Sequence, residues 1–310
     1  MTLPLTPPLL PQLARSRTSL PEGDDWAYEP KFDGFRAIAF VDGGDVVLQS
    51  RNGKPLGRYF PEVLASFPAG RYVLDGEVVA ASFDTLGQRI HPARSRVERL
   101  AVETPARFIA FDLLAEGDTV LLDRSYDERR AALEALALEG VELTPVVRAA
   151  ADAQGWLQDE EGVIAKETAA PYRPGERVGM VKIKRVRTID AVVLGWRPGK
   201  AERTVGALIL GLHGPDGRLR EVGHSSGFTA KQKRELVDEL APYETGEHGS
   251  GGPSRWSAGR DLEWVALRPE LVVEVTFDHV SDGRIRHGAK VQRWRTDKAP
   301  ADCTTDQLES

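Results

Sequence analysis

Between the apolar run Trp26-Ala27-Tyr28 and the alternating run Arg36–Val41, the chain places Glu29-Pro30-Lys31-Phe32-Asp33-Gly34-Phe35-Arg36. Glycine at the centre of this K-x-D-G-x-R spacing permits a tight turn and close approach of a ligand to the main chain. Lysine becomes a nucleophile once it loses its proton, which neighbouring cations or desolvation promote. The octapeptide therefore suits a site where an amine is held against a phosphorus atom while adjacent groups grip the rest of the ligand. Lys-x-Asp-Gly also occurs in ordinary exposed turns, so the remainder of the chain has to decide.

Alternation and turn signals break the first half into short strands. Arg36–Val41, Val46–Ser50, Tyr72–Val79 and Phe108–Leu114 read as strands, and Ser125-Tyr126-Asp127-Glu128 is a capping box opening a helix that runs to Leu138. After Lys184 the texture changes to the strand candidates Ala191–Trp196, Ala207–Leu212, Arg218–Gly223 and Leu271–Asp278, with a helix starting at Thr229 and followed by Pro242. The Gly/Ser/Pro-rich stretch Thr245–Ser254 reads as a mobile loop. About five strands with one helix fit a small barrel of the OB type. A length of 310 residues exceeds one typical core, so two domains are expected, 1–185 and 186–310, in an α+β chain.

One cysteine, Cys303, excludes an intramolecular disulfide or a cysteine zinc cluster, and six scattered histidines show no metal-ligand spacing. No apolar run reaches the length of a membrane span and no signal peptide is visible, so a cytoplasmic enzyme is expected. The net charge of −6 argues against nucleic-acid binding by overall charge. Basic clusters nevertheless occur: Lys182, Lys184, Arg185, Arg187, Arg197, Lys200 and Arg203; then Arg284, Arg286, Lys290, Arg293, Arg295 and Lys298; then Arg89, Arg94, Arg96 and Arg99. Such patches either track phosphates or are solvated surface.

Further patterns recur in order. Ser50-Arg51-Asn52-Gly53 ends a strand with an arginine beside a turn. Asp75-Gly76-Glu77 sits inside an apolar strand, where an unpaired carboxylate is costly to bury. Phe111-Asp112-Leu113-Leu114 puts an aromatic and an acid at a strand end, and Glu161-Gly162-Val163-Ile164-Ala165-Lys166 again sets an acid on an apolar strand. Lys182-Ile183-Lys184 alternates, so both amines project from one strand face. Taken singly, Glu77 and Glu161 also suit solvent-facing positions and Phe111 a core position.

In this order the series K-x-D-G-x-R, S-R-x-G, D-G-E, F-D-L-L, E-G-V-I-A-K and K-x-K resembles the motifs of the covalent nucleotidyltransferases, which include ATP-dependent DNA ligases, RNA ligases and messenger-RNA capping enzymes. Arg293-Trp294-Arg295-Thr296-Asp297-Lys298 resembles the superfamily's last motif, carried on an OB-fold domain. The match spans nearly the whole chain, and E-G-V-I-A-K with R-W-R-x-D-K favours the DNA ligase branch, near small bacterial ligases such as ligase C and the ligase domain of ligase D. One departure is Arg286-His287-Gly288-Ala289-Lys290, where many relatives carry a proline.

The resemblance implies an adenylation (nucleotidyltransferase) domain of antiparallel sheets with helices, followed by an OB-fold domain. It makes Lys31 the nucleophile on the α-phosphorus of ATP, with Lys182 and Lys184 on the α-phosphate. Arg36 and Glu77 would hold the ribose, Phe111 the adenine face and Glu29 the adenine edge. Arg51 would bind nucleotide phosphates and later the nick, and Glu161, then Glu77, would serve Mg2+ (or Mn2+). Arg295, Asp297 and Lys298 would close over the pyrophosphate, with a hinge at Val186-Arg187-Thr188. Arg51, Phe83, Arg89 and Arg187, with Leu86 and Gln88, would lie on the DNA. The expected activity is ATP-dependent sealing of 3′-OH/5′-phosphate nicks in duplex DNA, serving repair. The expected enzyme is a nucleoid-associated monomer without a membrane anchor or a helical DNA-encircling domain before Lys31, and other repair proteins are candidate partners. The alternatives are an RNA ligase, a capping-type guanylyltransferase, or a non-catalytic DNA-binding module. Intact Lys31, Glu77, Glu161, Lys182 and Lys184 speak against the last of these.

Overall fold

A computed structural model describes residues 2–250, 263–278, 280–281, 283–285 and 288–308. The chain divides into two compact units, Met1–Arg185 and Val186–Ser310. Among the described residues no helix is long and apolar enough to cross a membrane.

The first unit holds β1 (Arg15–Arg17), β2 (Trp26–Pro30), β3 (Phe35–Gly43), β4 (Asp45–Ser50), β5 (Gly70–Val79), β6 (Arg107–Glu116), β7 (Thr119–Val120), β8 (Glu142–Leu143), β9 (Gly162–Glu167) and β10 (Met180–Lys184). They form two sheets. One runs β1-β10-β9-β2, antiparallel except for the β1–β10 pair. The other runs β4-β3-β5-β6-β7, with β8 added in parallel to β6. Strand alternation feeds cores on both faces of the second sheet. Ala37, Ala39 and Val41 enter one cluster with Phe60, Leu86 and Phe108, while Ile38 and Phe40 enter another with Val73, Leu114 and Tyr172. Arg36 has the parity of Ile38 and Phe40, so it shares their face.

In this unit the observed strands extend the expected ones by at most two residues at either end. The helix capped by Ser125 covers Tyr126–Ala135 and stops short of Leu138. Its chain leaves right-handed helical space at Ala137, whose φ is 44°, and again at Gly140, whose φ is 82°. Phe111 and Asp112 lie in mid-strand instead of at a strand end. Asp75 pairs with Asp112 but Gly76 pairs with Ala110, so Phe111 is the extra residue of a β-bulge. A bulge bends the strand and re-aims its side chain.

The second unit contains β11 (Arg187–Pro198), β12 (Val205–His213), β13 (Leu219–Ser225), β14 (Glu244–Ser250), β15 (Glu263–Leu267), β16 (Val272–Phe277), β17 (Val280–Ser281), β18 (Arg284–Ile285) and β19 (Lys290–Trp294). Strand β11 pairs with β16 over Arg187–Val192 and with β15 at Gly195 and Trp196, while β12 lines its other edge. Sharing one long, bulged strand among three partners curls the sheet into an OB-type half-barrel. Val193, Leu208, Leu210 and Val273 fill it, and helix Ala230–Leu240 closes one side with Leu236 and Leu240.

Two expectations change here. Residues 245–250 are not loop: they belong to β14, which pairs with β15 despite Gly246 and Gly249, and 251–254 lie outside the described residues. Of the expected hinge, Arg187 and Thr188 already pair with Phe277 and Thr276 in β16, while Val186 stands outside the strand at the boundary of the two units. The departure at 286–290 falls partly outside the described residues, Arg286 and His287 being among those not described.

Candidate active site

Lys31 follows β2 directly, and its N–H donates to Gly162 O at 2.9 Å. The facing residue must be glycine: Gly162 has a φ of 145°, and a Cβ there would overlap Ile183 O. This contact sets the Lys31 backbone beside Glu161, which immediately precedes β9. The Lys31 ammonium donates to Glu161 Oε2, and Lys184 Nζ stands 3.5 Å from Glu161 Oε1. Gly34 meets the same demand on the other sheet, since a Cβ would run into Val78 O and lie 2.7 Å from Glu77 Cγ. The K-x-D-G turn is thus wedged against β5.

The two sheets enclose a cavity of about 500 Å³, a volume in the range of ligand sites. Its lining includes Glu29, Lys31, Arg36, Arg51, Glu77, Phe83, Phe111, Glu161 and Lys182, with Leu13 and Ala14 from the N-terminal segment. Nine of the residues singled out in the sequence therefore meet in one place, and Lys184 joins them through Glu161.

The electrostatics favour an anion. Lys31, Arg51, Arg177 and Lys182 line the cavity together. Burial, then the neighbouring Lys184, Lys31, Arg51 and Arg177, lowers the pKa of Lys182, as expected where cations converge. Burial pushes the Glu77 carboxyl up to about 8, an effect that Arg36 and Lys31 reduce and that Asp75 and Glu161 reinforce. A protonated Glu77 can donate as well as accept a hydrogen bond.

Behind the lining lies a layer of buried polar groups. Glu29 Oε1 accepts from the Tyr126 hydroxyl at 2.6 Å and from Lys166 Nζ at 2.9 Å, which engages one oxygen of the carboxylate assigned to an adenine edge. Lys166 also donates to Phe111 O and stands 4.7 Å over the Phe111 ring. Arg36 forks onto Asp75, and Arg129 forks onto Asp112. The motifs alone assign no role to Asp75, Tyr126, Lys166 or Tyr172. Lys166 was detectable, because it shares a strand face with Ile164 and both line the cavity. The tyrosines carry no comparable signal.

One assignment fails. Arg89 is fully buried and cannot reach DNA. Its guanidinium grips Glu62 at 2.6 and 2.8 Å, donates to Tyr59 O at 2.8 Å, and stacks over Phe60. Leu86 is buried beside it in the same core, whereas Phe83 does line the cavity. In that cluster Arg94 and Arg99 are paired with Glu98 and Glu103 one turn on, which dilutes the basic patch.

In the second unit, Arg295 is surrounded by acids. Nη1 meets both Asp190 oxygens at 2.7 and 2.9 Å, and Nε and Nη2 fork onto Asp297 at 2.9 Å each. The Arg295 bonds hold the Asp297 carboxyl down to about 2, so this side chain is an anion that orients Arg295 and would not itself bind phosphate. Lys298 is tied to Arg295 through its backbone N–H.

Four acidic residues, Glu29, Asp33, Glu77 and Glu161, line the cavity, and no group of three or more metal-ligating side chains occurs among the described residues. One or two carboxylates suit an ion such as Mg2+, which takes its other ligands from water and substrate phosphates.

The chain matches the family models described as "ATP dependent DNA ligase domain" over residues 11–184 and "ATP dependent DNA ligase C terminal region" over residues 201–298. It is 46% identical to DNA ligase C1 of Mycolicibacterium smegmatis, covering 100% of this chain and 96% of that protein. It is 45% identical to DNA ligase C of Mycobacterium tuberculosis, with the same coverage. The solved structure of mycobacterial DNA ligase D complexed with ATP and MES is similar at 31% identity and a TM-score of 0.51, over 96% of this chain and 98% of that one. A turn that carries Lys31 into the cavity, the converging cations of that cavity and a following OB-type unit agree with these matches: the chain belongs to the ATP-dependent DNA ligases.

Proposed function

We propose that this chain seals 3′-OH/5′-phosphate nicks in duplex DNA, in the service of DNA repair, with Lys31 as the nucleophile. The observation that carries the reading is the placement of Lys31 Nζ against Glu161 in a cavity shared with Arg51 and Lys182. In the first step, neutral Lys31 Nζ attacks the α-phosphorus of ATP; an N–P bond forms, the bond to the β-phosphate breaks, and pyrophosphate leaves. Lys182 and Arg51 stabilise the charge that develops on the phosphate oxygens, and alignment supplies most of the remaining rate. In the second step, a 5′-phosphate oxygen of the nick attacks the same phosphorus and Lys31 departs. In the third, the 3′-hydroxyl attacks the 5′-phosphorus and expels AMP.

Phe111 carries the adenine, a stack worth about 1–3 kcal/mol in comparable base–aromatic contacts. Arg36 and Glu77 hold the ribose, Glu29 and the adjoining backbone face the adenine edge, and Lys184 steadies Glu161. Glu161, with Glu77 behind it, is placed to hold Mg2+ or Mn2+, which when bound neutralises phosphate charge. From the second unit, Arg295, oriented by Asp297, and Lys298 act on the leaving pyrophosphate. Arg51, Phe83 and Arg187 meet the nicked duplex, and the working form is a cytoplasmic monomer.

The test is to incubate the protein with Mg2+ and ATP or GTP labelled at the α-phosphate and look for covalent label after denaturation. ATP-derived label that is lost in Lys31→Ala, and that transfers to nicked DNA, is the expected result. No label, or label that persists in Lys31→Ala, would sink the mechanism. Label from GTP alone would indicate a guanylyltransferase, and transfer only to nicked RNA an RNA ligase.

A further inference from the structure

Arg36 is held from behind the cavity wall. Its Nε donates to Asp75 Oδ1 at 3.0 Å and its Nη2 to Asp75 Oδ2 at 2.5 Å, and the Asp75 side chain is completely buried. A buried carboxylate needs its remaining lone pairs satisfied. The Tyr172 hydroxyl does this, donating to Asp75 Oδ2 at 2.6 Å, and it accepts the Gln12 backbone N–H at 3.0 Å. Gln12 precedes Leu13 and Ala14, which wall the cavity, and its side-chain amide is fastened to Val178 O at 2.5 Å.

A single phenolic oxygen therefore ties together two stretches of wall that are distant in sequence. On one side is the N-terminal segment. On the other, through Asp75, is the Arg36 guanidinium, whose Cζ stands 5.1 Å over the Phe111 ring. With Nε and Nη2 engaged, Nη1 is the Arg36 nitrogen left without a hydrogen-bond partner among the described residues, and Arg36 lines the cavity. Tyr172 is 1% exposed and belongs to none of the motifs. Burial and the Asp75 charge drive its pKa well up, so the hydroxyl keeps the proton it donates.

We infer that Tyr172 is a positioning residue for nucleotide recognition: acting through Asp75, it fixes the Arg36 guanidinium so that Nη1 can donate to a ribose hydroxyl of ATP. The inference rests on the reading of this cavity as the ATP site. Without the phenol, Asp75 loses the donor that sets its plane, and the Arg36 fork swings with it. Arg36 then makes its ribose contact less often, and the loss falls on sugar recognition, not on phosphoryl transfer.

The experiment measures lysyl-AMP formation by the full chain with ATP, 2′-deoxy-ATP and 3′-deoxy-ATP, alongside melting temperatures. In Tyr172→Phe, KM for ATP is expected to rise about five- to tenfold, less than the full loss of one charge-assisted hydrogen bond because Arg36 itself remains, with kcat within about twofold. KM for the analogue lacking the contacted hydroxyl should rise far less, so discrimination between ATP and that analogue shrinks. Asp75→Asn should shrink it likewise, and the double variant should be no worse than Asp75→Asn alone, as expected for members of one network. An equal rise for all three nucleotides, an unchanged KM for ATP, or additive effects would overturn the role of Tyr172. If the unmodified protein forms no lysyl-AMP at all, the ATP-site reading falls first, and the role of Tyr172 with it.

Discussion

Arg89→Met keeps a long apolar stem in the core but removes the guanidinium, and this sets a buried structural role against a DNA-binding one. The native group makes close bonds to both Glu62 oxygens and to Tyr59 O, with a longer one to Thr104 O at 3.4 Å. Breaking a buried ion pair by deleting one partner costs about 3–5 kcal/mol. Here Glu62 remains 19% exposed and keeps the Ala106 N–H at 3.0 Å, so the loss belongs at the low end of that range, about 3 kcal/mol. For a unit of this size each kcal/mol moves the melting temperature by about 2–4 °C, so the first unit should melt about 6–12 °C lower. The second readout is the salt dependence of binding to nicked duplex, measured well below the melt. A lost phosphate contact would flatten the slope of log K against log salt by about 0.9, whereas a core arginine leaves it unchanged. A melting shift under about 2 °C together with a flattened slope would refute the structural role and return Arg89 to the DNA.

Three further outcomes follow from the geometry. Gly34→Ala forces a methyl group onto Val78 O and Glu77, and should cost about 1–3 kcal/mol in urea melts. It should also slow lysyl-AMP formation about tenfold or more by shifting Lys31, and a variant that labels at the normal rate would disprove the wedge. The Glu77 carboxyl is raised from 4.5 to about 8, so the stability linked to its proton is complete below pH 4.5 and is lost as pH rises through 8. Glu77→Gln should flatten that decline in chemical melts, and an unchanged pH profile would count against the shift. In carbon-13 NMR the Asp297 carboxyl should titrate near 2 instead of 3.8, and should move back upward in Arg295→Met.

Legibility followed the range of the interactions. The Ser125 and Thr229 capping boxes are local, and both open helices where the sequence placed them. The charged residues in the first unit's short motifs, Lys31, Arg36, Glu77, Glu161 and Lys182, also came together, because the turn at Lys31–Arg36 and the pairing of β2, β9 and β10 leave them little choice of position. What escaped depended on partners far along the chain. Arg89 looked like one member of a basic cluster because Glu62, 27 residues away, cannot be paired with it by inspection. Lys166 and Tyr126 meet at Glu29 across 137 and 97 residues, and Tyr172 reaches Asp75 across 97. The bulge at Phe111 was invisible for a related reason, since a one-residue slip is a property of two strands and not of either alone. The glycines of β14 suggested a loop, but backbone pairing with β15 needs no side chains.

The seam between the two sheets of the first unit has an evolutionary consequence. Lys31, Glu161, Lys182 and Lys184 all stand on or beside the β2-β9-β10 sheet, whereas Arg36, Glu77 and Phe111 stand on the β3-β5-β6 sheet. On the proposed roles, bond-making and most of the sugar-and-base contacts thus stand on separate sheets, which Lys166 joins behind the cavity by donating from β9 to Phe111 O. Drift on the second sheet can change which nucleoside is accepted while the reacting amine and its phosphate cations keep their mutual geometry.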